Sequence, residues 1–400
     1  MKQKRKSREI RQEEENLNEE IDYEQALKNH KRKRLVVALS MIAVIVVIAL
    51  GCYIYYQNKV YTEYNVKHTK EIDYGGTSSF TAFGDYVLRI NSDGFSYLTE
   101  KENVWNAAYE MDDMVMDICE DYVAVGEKNG NTIHISNTSG PVGTVETTYP
   151  LVKVEVSADG VIAALSEDET ANYIEVTAAD GTQLVTGKTV LEGNGYPLDM
   201  SLSADGTKMI VSYLYVSGGV LQSKVVFYNF SDVGMNEVDR MVGGFNQYED
   251  MLVPEVDFIS EDVAIAVADG MLSIYSMKQK PSLTAEFSIT QEIVDVFSND
   301  EYIGIITETD QADTPYNLIV YDVKGKEIRN SKEARLYDTY QFVDNMILMY
   351  DETHCRVESV RGKVKFDRDI DGGIVDMVAT DKAYEYLLVQ SDRILRIRLN

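Results

Sequence analysis

One turn recurs eight times along this chain. An apolar strand, a short turn ending in aspartate and a second apolar strand surround Asp85, Asp121, Asp159, Asp205, Asp262, Asp300, Asp344 and Asp381. Its fullest forms are Val156-Ser-Ala-Asp-Gly-Val-Ile162 and Leu202-Ser-Ala-Asp-Gly206. The aspartates lie 36 to 57 residues apart, about 42 on average, which is the length of a four-stranded propeller blade. Ankyrin and tetratricopeptide units are shorter and helical, and this stretch alternates with period two instead. Asp-Gly and Asn-Gly pairs, as at 93–94, 129–130 and 269–270, supply hairpin turns that need positive φ. The pattern predicts an all-β fold, a β-propeller of eight blades, or seven if the first and last units share one blade.

Proline placement agrees with that segmentation, because proline cannot donate to a strand ladder. Pro150, Pro197 and Pro254 are expected just before innermost strands, and Pro141, Pro281 and Pro315 in loops. The last unit, residues 372–400, has only three strands. Residues 61–73 form a spare extended segment, so they are expected to supply the missing outer strand and close the ring, leaving no open edge.

Residues 35–56 carry no charge and are rich in Val, Ile, Leu and Ala, long enough for a helix to cross a bilayer. Lys31-Arg32-Lys33-Arg34 precedes this stretch, and Tyr53, Tyr55 and Tyr56 end it as an interfacial belt. A cleavable signal has a shorter apolar core, and Ala49-Leu50-Gly51 before Cys52 is a poor lipobox. The expected layout is a charged cytoplasmic tail (1–34), a single transmembrane helix in the cell membrane (35–56) and an outer domain (57–400). Ile10, Leu17 and Ile21 could mark a short amphipathic turn in the tail.

Charge separates the regions. The tail holds 11 Lys or Arg against 8 Asp or Glu, which leaves 27 against 58 for the outer domain out of totals of 38 and 66. Such a surface repels nucleic acid and favours cations or basic partners. Three cysteines, Cys52, Cys119 and Cys355, form no disulfide framework and no zinc pattern.

The blades resemble the WD40-like and quinoprotein-dehydrogenase-like propeller superfamilies without the Gly-His…Trp-Asp signature; Trp105 is the only tryptophan. The whole layout, a basic tail, one helix and a degenerate propeller with Ser-Ala-Asp-Gly turns, resembles an uncharacterised family of membrane-anchored proteins of Gram-positive Firmicutes. That resemblance implies a bacterial envelope location and brings no activity with it.

Motifs for chemistry are sparse. The sequence has no Gly-x-Ser-x-Gly, no His-Glu-x-x-His, no P-loop and no Gly-x-Gly-x-x-Gly. His68, His134 and His354 are isolated, with His134 between two isoleucines on a strand. Asp117, Glu155, Asp199, Asp257, Asp295 and Asp376 fall on or beside the proposed innermost strands. They read either as acceptors of backbone hydrogen bonds or as a channel for a cation such as Ca²⁺ or a basic peptide. Gly243-Gly-Phe-Asn-Gln-Tyr-Glu249 reads as a long loop in the fourth unit, exposing Phe245, Asn246, Gln247 and Tyr248 as a partner-binding surface. A second insertion, Asp310-Gln-Ala-Asp-Thr-Pro315, lengthens the sixth unit. The favoured function is a non-enzymatic module presenting loops to an envelope protein or glycan, with no cofactor. The alternative is an envelope enzyme, a quinoprotein-like oxidoreductase or glycan-active hydrolase.

Overall fold

A computed structural model describes residues 30, 32–37, 39–52, 54–55, 58–72, 78–84, 86–190 and 195–400. The Asp85 turn, the tail positions Ile10, Leu17 and Ile21, and Tyr53 and Tyr56 lie outside the described residues. The chain divides into two units, Met1–Val60 and Tyr61–Asn400. In the first, the helix Arg32–Cys52 is long and apolar enough to cross a membrane. Leu35, Ile42, Ile45 and Val47 are all exposed on it, on every side of its axis.

The second unit is an eight-bladed propeller. Eight separate sheets each hold four antiparallel strands. Blades 1 to 7 span residues 79–108, 114–146, 151–189, 196–248, 255–288, 293–333 and 339–369. Blade 8 joins Asp376–Ala379, Glu385–Val389 and Arg393–Leu399 to Tyr64–Glu71 from the other end of the chain. Tyr64 lies opposite Leu399 and Glu71 opposite Arg393. Tyr61, just before that strand, is buried in the core between blades 7 and 8 and donates its backbone N–H to the Lys365 carbonyl at 2.7 Å. The closing strand is therefore where the spare segment predicted it.

Burial on both faces of each middle strand explains the apolar composition. In Val263–Ala268, Ala264, Ala266 and Ala268 pack toward blade 4, while Ile265 and Val267 pack toward blade 6. Ile265 and Ile274 are almost fully buried, and each such side chain contributes about 1.5–3 kcal/mol. Small residues on one face and branched residues on the other let twisted sheets nest without voids. Between blades 6 and 7 the seam is ionic as well. Arg329 reaches Glu333 at 2.7 Å and also Glu358, while Arg356 reaches Glu358 at 2.8 Å.

The described members of the repeated aspartate turns join first strands to second strands. In the Ser-Ala-Asp-Gly pair, Gly160 and Gly206 take φ of +77° and +66°, which a side chain would resist. Asp205 Oδ1 accepts from the Thr207 N–H at 3.0 Å, and Lys208 links Asp205 to Asp262 of the next blade. Two prolines sit one residue inside strands, Pro197 rather than just before one and Pro141 rather than in a loop. Pro197 adjoins a bulge, and Pro141 lies on an outermost strand beside a register shift, places where a missing N–H is tolerated.

Because strands run in sequence order and antiparallel within a blade, turns fall on two faces. First-to-second and third-to-fourth turns share one face. Second-to-third turns and the connections between blades share the other. The chain enters the ring at Tyr64, opposite Leu399, hence on the face of the aspartate turns. Blade 4 extends its second and third strands to 10 residues each, so its hairpin projects from the opposite face.

Candidate functional site

The first strands of successive blades pack side by side around the channel: Met114–Cys119, Leu151–Val156, Tyr196–Leu202, Glu255–Ser260, Ile293–Ser298 and Asp376–Ala379 among them. Alternation along a strand puts residues two apart on one face. Lys153 and Glu155 therefore share a face, as do Asp199 and Ser201, and Glu255 and Asp257.

These side chains form a chain of contacts across blades 2 to 6. Lys153 Nζ meets Glu155 Oε1 at 3.0 Å, bonds Asp199 and donates to the Met200 carbonyl at 2.8 Å. Asp199 Oδ2 accepts from the Val256 N–H at 2.8 Å. Asp117 Oδ2 accepts likewise from the Val156 N–H at 2.7 Å. Asp257 accepts from Ser201 Oγ at 3.2 Å and Ser298 Oγ at 3.3 Å. On blade 8, Asp376 accepts from the Tyr350 hydroxyl and from the Met377 N–H at 2.8 Å. Each bond between adjacent blades ties two inner strands edge to edge, so the carboxylates act first as staples of the ring.

The electrostatics go beyond stapling. Burial, then the charge of Asp117, pushes Glu155 up to about 8 despite Lys153. Burial, then Asp199, Asp257 and Asp295, pushes Glu255 up to about 7. Burial also raises Asp117, Asp257, Asp295 and Asp376, outweighing the hydrogen bonds that favour their charged forms. Burial pulls Lys153 down, but Glu155 and Asp199 outweigh it and hold the ammonium charged. Burial and the neighbouring Asp117 push the Cys119 thiol up to about 11, which removes it as a nucleophile at neutral pH.

Calcium needs roughly six to eight converging oxygens. Among the described residues no three of His, Cys, Asp and Glu gather at ligand spacing, and Lys153 already lies between two of the six carboxylates. Sequence reasoning missed Lys153 because it sought carboxylates alone. Its position two residues before Glu155 was the available signal.

The aromatic surface expected in blade 4 is corrected by the structure. Residues 241–248 are not a loop but the blade's fourth strand, Met241–Tyr248. Tyr248 is fully buried, with its hydroxyl on that of Tyr275 in blade 5. Gln247 Nε2 donates to the Tyr275 hydroxyl at 2.9 Å. Phe245 is half-buried against Tyr275, ring centroids 4.7 Å apart, and only Asn246 is exposed. Gly243 and Gly244 disguised the strand. A Cβ on Gly243 would stand 2.6 Å from Pro281 of the next blade, so the glycine permits close packing rather than a loop. These residues staple blade 4 to blade 5. His134 also serves packing, stacked on Tyr109 at 3.8 Å.

No curated protein matches the sequence. Solved structures match the fold. BamB from Moraxella catarrhalis is 10% identical, with a TM-score of 0.51 over 84% of this chain and 100% of that one. Sqt1 from Chaetomium thermophilum is 11% identical, with a TM-score of 0.54 over 84% and 100%. Sqt1 bound to the N-terminus of the ribosomal protein L10 gives 0.50 at 11% identity, over 86% and 100%. The likeness is one of architecture. Residues 57–399, nearly the whole ring, match a family of unknown function, DUF5711, and the chain belongs to that family.

Proposed function

We propose that this protein is a membrane-anchored binding or scaffold module whose ring presents a binding face to a protein or glycan of the cell envelope. The observation that carries the reading is the ring's closure by the strand that directly follows the apolar helix. It puts the chain's entry into the ring on the face of the aspartate turns, so the other face, with the Glu255 end of the acidic channel, is clear of that entry point. A helix apolar on all sides suits lipid, and Lys31 to Arg34 at its start suits a cytoplasmic tail. Sqt1 is a ring of the same architecture that holds the N-terminus of a ribosomal protein.

Photocrosslinking in intact cells tests the proposal. A photoreactive residue at Asp269 or Asp310, on the clear face, should yield discrete adducts, and one at Asp300, on the entry face, should yield fewer. External protease should degrade the ring and spare residues 1–34. Protection of the ring, or the absence of adducts from either face, overturns the reading.

A further inference from the structure

Blade 6 departs from its neighbours at one turn. Blade 5 passes from Val263–Ala268 to Met271–Ser276, and blade 7 from Met346–Tyr350 to His354–Ser359. Blade 6 passes from Tyr302–Glu308 to Tyr316–Asp322 through residues 309–315. This loop lies on the clear face. It folds on itself, with the Thr309 N–H donating to the Pro315 carbonyl at 2.7 Å.

Beneath the loop a polar row crosses three strands, Thr307 opposite Asn317 and Asn317 opposite Lys332. Asn330 stands two residues from Lys332, on the same face. The row continues the face on which Ile303, Ile305 and Ile319 pack against Ile265, Leu272 and Ile274 of blade 5. The apolar seam thus ends in a hydroxyl, two amides and an ammonium. With Gln291 and Glu292 these groups line a cavity of about 640 Å³, within the range of ligand sites. A second cavity of about 440 Å³ shares Glu292 and reaches the channel mouth at Glu255 and Asp295.

Two independent features say that this groove is built for an occupant. Thr307 is 1% exposed, and its Oγ1 has no hydrogen-bond partner among the described residues, a state that is unfavourable until something supplies one. Asn317, half-buried, and Asn330 and Gln291, exposed, make no side-chain hydrogen bond among the described residues, so their amides are open to a ligand. The second feature is charge. Glu255, Asp269, Glu292, Asp295, Glu308 and Asp310 face a single Lys332 along the two cavities.

We propose that the seam between blades 5 and 6 is a groove for an extended basic peptide. Its main chain pairs with the amides and hydroxyl of the outer cavity, and its lysine or arginine side chains reach Glu255 and Asp295 at the channel mouth. Amide side chains match peptide groups donor to acceptor. The carboxylate excess favours a cation and disfavours an anionic polymer. No aromatic ring lines either cavity, so a sugar face has no platform. The proposal rests on the reading of the ring as a binding module and names its site.

The test uses the full chain in nonionic detergent and a fluorescein-labelled Lys-Ser-Gly repeat peptide, read by anisotropy at low and high salt. The peptide should bind, and bind more weakly as salt rises. Two variants, Glu255→Gln with Asp295→Asn and Asn317→Ala with Asn330→Ala, should each weaken it about tenfold or more. Thr307→Val, nearly isosteric, should weaken binding without lowering the melting temperature, which separates loss of a site from loss of fold. Asp300→Asn, on the entry face of the same blade, should leave affinity unchanged. Equal affinity in every variant means diffuse attraction to an acidic protein and overturns the groove. No binding overturns it too. Binding of chitotetraose in place of the peptide overturns the ligand class. In each of these cases crosslinks from other positions on the clear face can still support the binding module itself.

Discussion

Two charged clusters in the ring have opposite bookkeeping. Between blades 6 and 7, Arg329 and Arg356 face Glu333 and Glu358, with Asp367 at the edge 3.9 Å from Arg356, two guanidiniums against three carboxylates. In the channel, Lys153 alone faces Glu155 and Asp199 directly, with Asp117 and Asp257 close enough to be felt. The first cluster is nearly balanced and shut, with Glu358 fully buried. The second is in acid excess and open at its mouth. In the seam, Arg329 divides its two terminal nitrogens between Glu358 and Glu333, which ties blade 6 to blade 7 through one guanidinium. In the channel, acid excess makes carboxylates hold protons, as Glu155 does to about 8. The two differ in what removing a charge should do.

The largest expected effect is in the shut cluster. Glu358→Ala removes the fully buried carboxylate that both Arg329 and Arg356 contact, leaving the two guanidiniums to share Glu333, and should lower stability by about 3 kcal/mol, read from the urea midpoint. Glu358→Met combined with Arg329→Met, which leaves Arg356 beside Glu333 and Asp367, should recover much of that loss. If the double variant is no better than the single one, the seam is not a matched clasp and the comparison breaks.

A smaller effect is expected from Lys153→Met. Its side chain is about one-third exposed, so solvent screening limits the loss to about 1–2 kcal/mol. The loss should be greater at pH 9, where Glu155 is ionised and needs its partner, than at pH 6, where Glu155 carries its proton. A loss independent of pH means that Lys153 matters by packing alone.

The smallest effect sharpens the contrast through pH. Glu155 has a raised folded-state pKa, so the folded state binds its proton more tightly than the unfolded chain does. The stability this confers is fully present below the unfolded value, near 4.5, and is lost as pH rises through about 8. Melting temperature should therefore fall between pH 6 and pH 9, and Glu155→Gln should flatten that decline. Glu255, raised to about 7 but exposed at the rim, should give a weaker version when changed to Gln. An unchanged slope in Glu155→Gln removes the channel as its source.

Blade number and closure were legible because they are written in local chemistry. The aspartate turns recur at blade length, and residues 372–400 visibly lack a strand. The channel carboxylates were legible too, since each sits near a repeated turn. Their partner Lys153 was not, because its contact with Asp199 joins two blades, and its place two residues before Glu155 marks only a shared strand face. The groove was hidden for a related reason. Thr307, Asn317 and Lys332 become neighbours only through strand register, and a one-residue slip would turn the whole row to the other face. Phe245 and Tyr248 misled through Gly243-Gly244, which has the composition of a loop and the function of a close contact.

Closure by Tyr64–Glu71 also sets a schedule for synthesis. This strand is the first of the ring to leave the ribosome, yet its partner Arg393–Leu399 is the last. Every other strand finds its sheet neighbours within its own stretch of sequence, so blades can form as they emerge. The first strand waits through the making of all of them, and contacts of such long range form slowly. A ribosome that stops early thus releases an open arc, with one unpaired strand at its beginning and a bare blade edge at its end. Only a finished chain has all eight blades complete, each ending in a short outer strand.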